Sequence, residues 1–201
     1  MAAISVFQSV TLDGMMQGVG RPDEDTRGGF PHGGWGNRHQ DEVMAEEMSR
    51  GMSEPGDMLF GRRTWEDFIG TWAGQTDGNP FTTHMNAATK YVASTTLENA
   101  GAWQNSVLLR GDAARTVAEL KARPGTNLSI IGSASLVRAL HTAGLVDRYT
   151  LLIHPLTLGA GARLFDGPAP LTEFTLTRSV PTTKGVIIAH YDRVASEPAE
   201  A

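Results

Sequence analysis

The stretch Leu128-Ser129-Ile130-Ile131-Gly132-Ser133-Ala134-Ser135-Leu136-Val137 constrains the fold of this chain more than any other. An apolar run of strand length meets a turn of small residues and passes straight into a helical pattern. Leu136, Val137, Leu140 and Ala143 share one side of that helix, and Gly144 ends it. Gly132 lets backbone approach a ligand without Cβ interference, and the small side chains of Ser133, Ala134 and Ser135 keep the helix opening uncrowded. Free backbone N–H groups and the positive end of the helix dipole then face outward together, an arrangement that suits a phosphate. A single turn of this kind is better explained as structural, so the rest of the chain must decide.

Strand and helix signals alternate through the first two thirds. Residues 4–11 read as a buried strand closed by Asp13-Gly14, 40–50 as a helix ended by Gly51, and 56–61 as a strand. A helix is predicted over 63–69 and a shorter one over 81–88. A strand over 90–96, another over 107–109 and a helix over 112–122 lead into the central unit. Three strands without helices follow, at 149–153, 174–177 and 186–191. Alternation early and strands alone late predict an α/β fold with a mainly parallel sheet, helices on both faces and an antiparallel C-terminal edge. Length favours one domain over 1–194, with the small, acidic tail at 195–201 expected to be disordered.

Composition narrows the chemistry. A net charge of −5 with no basic block argues against nucleic acid, and the absence of cysteine removes disulfides, thiolate nucleophiles and Cys-containing zinc sites. The six histidines show no metal spacing, so no metal site is expected. Neither a basic leader nor a run of roughly 18 apolar residues is present, so a cytoplasmic protein without a membrane partner is expected. The phosphate-binding G-x-x-x-x-G-K-[ST], the three-glycine dinucleotide fingerprint and the G-x-S-x-G elbow are all missing.

What remains is a set of turns competent for phosphate, each just beyond a predicted strand. Gly61-Arg62-Arg63-Thr64 offers two guanidinium groups, a hydroxyl and the N–H groups of a new helix. Ser94-Thr95-Thr96 offers hydroxyls, though alone it is better read as turn chemistry, and the Gly132 turn offers backbone donors. Their common placement at strand C-termini suggests a dinucleotide across the edge of an open sheet.

These segments, with Ser9-Val10-Thr11-Leu12-Asp13-Gly14 and Pro155-Leu156-Thr157-Leu158-Gly159, resemble in order and spacing the dihydrofolate-reductase-like superfamily. The likeness is greatest to the C-terminal reductase domain of bifunctional riboflavin-biosynthesis proteins, and it covers nearly the whole chain. The resemblance implies a three-layer sandwich and NADPH as cofactor. Gly61, Arg62, Arg63 and Thr64 would then lie near the phosphates and Ser94, Thr95 and Thr96 near the 2′-phosphate. Ile131, Gly132, Ser133, Ala134, Ser135 and Leu136 would lie under the pyrophosphate and nicotinamide ribose. It departs from that branch in carrying Ile131 where an acidic residue precedes the glycine turn, which leaves the substrate, pterin-like or ribosylaminopyrimidine-like, open.

The expected activity is hydride transfer to a small heterocyclic or carbonyl substrate; a nucleotide-binding module without turnover and a reductase using flavin or deazaflavin are the alternatives. Asp41 is the first candidate for substrate orientation or proton relay, against an equal case for helix-dipole compensation, and Asp13 the second, against a turn role. Phe30 and Trp35, set among glycines in the long segment 15–38, are expected to form a lid and wall over substrate. The antiparallel edge, with the habit of the riboflavin branch, suggests a homodimer.

Overall fold

The computed structural model describes residues 2–52, 56–125 and 127–195, so most of the tail at 195–201 lies outside the described residues. Its strands are β1 (Ile4–Thr11), β2 (Asp57–Gly61), β3 (Lys90–Ser94), β4 (Ser106–Arg110), β5 (Leu128–Ile131), β6 (Arg148–His154), β7 (Phe174–Pro181) and β8 (Ile187–Arg193). They form one sheet in the order β4-β3-β2-β5-β1-β6-β8-β7. All pairs from β4 to β6 are parallel, while β8 runs antiparallel to both β6 and β7. The expected mixed sheet with an antiparallel C-terminal edge is therefore present.

Strand alternation divides the helices α1 (Glu42–Met52), α2 (Arg62–Trp72), α3 (Pro80–Ala87), α4 (Ala113–Lys121) and α5 (Ala134–Thr142) between two faces. Ile4, Val6, Leu59, Leu128 and Ile130 point to one face, where Val117 of α4 and Leu136, Val137 and Leu140 of α5 cover them. Met58, Phe60 and Val92 point to the other and pack on Trp65 of α2 and Met85 of α3. On that second face Met44 of α1 closes over Leu152 and Ile188. The result is a three-layer sandwich. Helix α1 runs through Gly51 to Met52 rather than stopping at the glycine, because Gly51 has helical backbone and is tolerated there at a modest entropic cost. No helix among the described residues is long and apolar enough to cross a membrane.

One buried cation holds the second face together. Lys90 is fully buried, and its Nζ donates to the carbonyls of Ala88 (2.7 Å), Met85 (2.8 Å) and Asn86 (3.4 Å) at the end of α3 while lying 4.7 Å above the Trp103 ring. An ammonium at a helix C-terminus meets both the orphan carbonyls and the negative end of the dipole.

The segment 15–41 is cross-braced, not strap-like. Gly34 and Gly36 N–H groups donate to the carbonyls of Gly18 (2.7 Å) and Val19 (3.0 Å). Gln17 binds the Asp25 and Arg27 carbonyls and accepts from Ala162 N–H. Gly36 is required by proximity, since a Cβ there would sit 2.6 Å from Val19 Cγ2. Trp35 is 3% exposed, donates its indole N–H to the Gln17 carbonyl at 2.7 Å, and meets His154 edge-on at 5.0 Å.

Two stability outcomes are expected. Lys90→Met, similar in length but without donors, should destabilise by about 1–3 kcal/mol through the stranded α3 carbonyls, read as a lower urea midpoint at unchanged slope. Trp35→Ala should cost about 3–5 kcal/mol, read as a fall in melting temperature that a mobile lid residue would not produce.

Candidate functional site

Strands β1, β2, β3, β5 and β6 end at one edge of the sheet, on either side of β1, where the strand order changes direction. Open α/β sheets bind ligands at such an edge because the turns there expose helix N-termini. A cleft of about 1390 Å³ occupies it, lined by the ends of all five strands. Single-ligand pockets run to roughly 300–1,000 Å³, so this cleft exceeds the usual size for one small molecule.

Helix caps distinguish the cleft chemically. Three helices carry a carboxylate or amide on their first turn. Asp41 accepts from Met44 N–H in α1, Asn79 from Phe81 N–H in α3 and Asp112 from Arg115 N–H in α4, each at 2.9 Å. Helices α2 and α5 carry no side-chain cap. Their first turns, Arg62, Arg63 and Thr64 and then Ala134, Ser135 and Leu136, both line the cleft. Two uncapped positive helix ends thus face one cavity, an arrangement that suits an anion.

The two turns are tied together. Ser133 adopts left-handed backbone (φ +63°), accepts from Gly61 N–H at 2.9 Å and donates its hydroxyl to Thr64 Oγ1 at 2.7 Å. Gly132 also has positive φ (+70°), and a Cβ there would lie 3.3 Å from Thr64 Cγ2. A side chain at Gly132 is thus strained as well as obstructive, so a bulky substitution perturbs the turn itself and not only ligand approach.

At the β3 end, Arg62 bridges Glu66 (2.7 Å) and Thr96 (2.8 Å), and Ser94 Oγ accepts from the N–H groups of Thr96 (3.1 Å) and Leu97 (3.0 Å). Ser94 is therefore occupied by its own turn. Thr95 and Arg63 are exposed and line the cleft, as do Gly61 and Ile131.

Four expected site residues have other work. Asp41 caps α1 and binds the Thr183 hydroxyl (2.7 Å) and Lys184 N–H (3.1 Å), clasping the β7–β8 turn; Met44 N–H, with the Thr183 hydroxyl, pulls its carboxyl down to about 2. Asp13 accepts from the Thr11 hydroxyl and from Leu158 and Gly159 N–H, which lower it below the usual carboxylate range. A proton donor at neutral pH needs the opposite shift. Neither acid, nor buried Phe30 or Trp35, is among the residues lining the cleft. Those two rings fill the interior of the 15–41 segment, because apolar area gains more from permanent burial than from waiting for a ligand.

The apolar part of the lining is built largely from residues the sequence marked only for burial or not at all. Met44 and Met48 of α1, Phe68 and Trp72 of α2, Phe7 and Leu152 line it. Arg21 reaches across to α2, where it pairs with Asp67 and donates to Thr71 Oγ1 at 3.1 Å. His154, at the end of β6, also lines the cleft; it is 1% exposed, and neither ring nitrogen has a partner. Burial, with His39 close by, brings its imidazole down to about 4. Among the described residues no group of His, Asp or Glu side chains could hold a metal ion.

Comparison with known proteins matches this fold. The family model of the RibD C-terminal domain matches residues 2–188. A crystal structure from Shewanella sp. PV-4, described as a riboflavin biosynthesis protein, superposes with a TM-score of 0.68 at 18% identity, covering 96% of this chain and 99% of that one. A pyrimidine reductase-like protein from Corynebacterium diphtheriae NCTC gives 0.65 at 13% identity, covering 97% and 93%. The uncharacterized protein YyaP of Bacillus subtilis (strain 168) is 29% identical over 111 residues, which span 54% of this chain and only 58% of YyaP. The chain belongs to the RibD C-terminal domain family, within the dihydrofolate-reductase-like superfamily.

Proposed function

We propose that this protein is an NADPH-dependent reductase that reduces a small heterocyclic or carbonyl compound. The observation that carries this reading is the pair of uncapped helix N-termini, α2 and α5, opening into one cleft while the other three helices cap themselves. The first-turn N–H groups of both helices would hold a diphosphate, with Gly132 allowing close approach. Arg63, exposed at the second residue of α2, and Thr95 would serve the extra phosphate that separates NADPH from NADH. Reduced nicotinamide, when bound, supplies the hydride.

The chain's own contribution is placement and exclusion of water. Phe7, Leu152 and the α1 and α2 side chains form a dry wall beside the anion site, so an acceptor seated there lies next to the cofactor's reactive end. The proton that accompanies the hydride is drawn from water at the polar rim, since Asp13 and Asp41 are held ionised elsewhere.

Titration calorimetry with both cofactors tests the assignment. NADPH should bind at least tenfold tighter than NADH, and Arg63→Ala should remove most of that difference, a loss of about 1.5–3 kcal/mol for one charge-assisted contact. Equal affinities would overturn the phosphate assignment. Ser133→Ala, which strands Gly61 N–H, should weaken both cofactors alike, and consumption of NADPH with a pterin, quinone or ketone separates an enzyme from a mere nucleotide binder.

A further inference from the structure

Helix α1 gives Met44 and Met48 to the cleft, yet two acidic side chains of the same segment reach away from it, to the hairpin formed by β7 and β8. None of the described residues of that hairpin lines the cleft. Asp41 holds the hairpin's turn at Thr183 and Lys184, and Glu47 holds its strands. The Glu47 side chain is 7% exposed and receives both terminal nitrogens of Arg178, Nη2 at 2.7 Å from Oε1 and Nη1 on Oε2. A bidentate guanidinium fixes direction as well as distance. Arg178 keeps the Glu47 carboxyl below the usual carboxylate range, so the pair is ionised at neutral pH. A second cation, Arg50, donates to Glu47 at 2.9 Å from one turn further along, a contact that stays within α1.

Arg178 reaches this position through a defect in its strand. Tyr191 faces Leu176 across the ladder and His190 faces Arg178, so Thr177 is an extra residue, a β-bulge. In unbroken register Thr177 would face His190, and Arg178 would face Ala189, whose other neighbour Leu151 belongs to the core under α4 and α5. Arg178 would then point away from α1. The bulge turns it to the side of Val180 and Ile188, which pack with Met44. His190 completes the seat, with Nε2 3.9 Å from Glu47 and Nδ1 3.1 Å from the Thr150 hydroxyl. Glu47 lies between Met44 and Met48 and the helix is stiff over one turn, so whatever locates Glu47 locates both methionines.

We infer that Glu47 is a positioning residue: gripped by Arg178, it sets how far the methionine wall of α1 stands into the cleft, and so how closely that wall closes on an acceptor, while leaving the α2 and α5 ends unaffected. This rests on the reductase reading only in calling the occupant beside that wall the acceptor.

The test reads isotope-labelled methionine methyl groups by NMR, with Met44→Leu and Met48→Leu assigning the two signals. Glu47→Gln and Arg178→Met should each shift both signals and raise their broadening by a soluble gadolinium chelate at least twofold, while Met58 and Met85, in the core under α2 and α3, stay put. The double variant should do no more than either single one, since both remove the same contact. Arg50→Met takes a cation from the same carboxylate without detaching α1 from the hairpin, and should leave the signals in place. NADPH affinity should stay within twofold throughout. A residue that only adds stability would lower the melting temperature on substitution and leave the native methyl signals where they are. Arg178→Met changes an exposed side chain and is the safer variant to fold. Unmoved signals in it would overturn the inference, as would an equal response to Arg50→Met or a parallel loss of NADPH binding. Failure of the unaltered protein to bind NADPH would instead sink the reductase reading and leave the methyl signals to decide the positioning.

Discussion

The hydroxyl of Ser133 is the contact on which the cleft depends. It accepts from Gly61 N–H and donates to Thr64 Oγ1, and so fastens the turn after β2 to the turn after β5. Those turns launch α2 and α5, so one side chain sets the spacing of the two helix ends that face each other. Ser133 does this from left-handed backbone, which costs a residue with a Cβ roughly 1–2 kcal/mol. Glycine in its place would relieve the backbone and lose both hydrogen bonds. The strain is offset by satisfying a backbone donor that would otherwise be stranded, an exchange of similar size.

The same economy governs the long segment 15–41. A chain of that length with many glycines has much entropy to lose, and it is ordered by burying Trp35 and Phe30 and by threading Gln17 into its carbonyls. Its inner surface then covers one side of His154, leaving both imidazole nitrogens without partners. A buried imidazole can remain unpaired at tolerable cost only if it is neutral, and desolvation keeps it so. The segment thus shapes the floor of the cleft as well as its rim, while Arg21 anchors its outer part to α2.

The fold and the turns that line the cleft were legible in the sequence because their signals are local. Leu128 to Ile131 followed by Gly132 states strand and turn within a few residues, and the start of α5 follows from the helical pattern after it, whereas its lack of a cap depends on the Ser133 hydroxyl turning to Gly61 and Thr64. The apolar wall of the cleft was not legible. Met44 and Met48 announce a buried helix face, but whether that face meets the core or a cavity depends on where α1 lands against Leu152, more than a hundred residues away. Asp41 and Trp35 were misleading for the same reason. Thr183 and Lys184, which bind Asp41, and His154, which meets Trp35 edge-on, are distant in sequence and carry no motif. A carboxylate before a helix reads equally as cap or catalyst until its partners are seen.

The distribution of carboxylates makes a net charge of −5 compatible with the proposed anion site. Asp25, Glu66 and Asp67 each neutralise an arginine on the cleft wall, and Glu24 turns inward to the N–H groups of Gly20 and Arg21. The first turn of α2 contains no acidic residue, and neither does that of α5. Acidic charge therefore sits where it cancels an arginine or a loop donor, and is withheld from the two helix ends. Because the Debye length at physiological ionic strength is about 8 Å, distant surface carboxylates scarcely affect the potential there. The potential at the two helix ends is set locally, by backbone dipoles and Arg63, and the chain can remain acidic overall without weakening it.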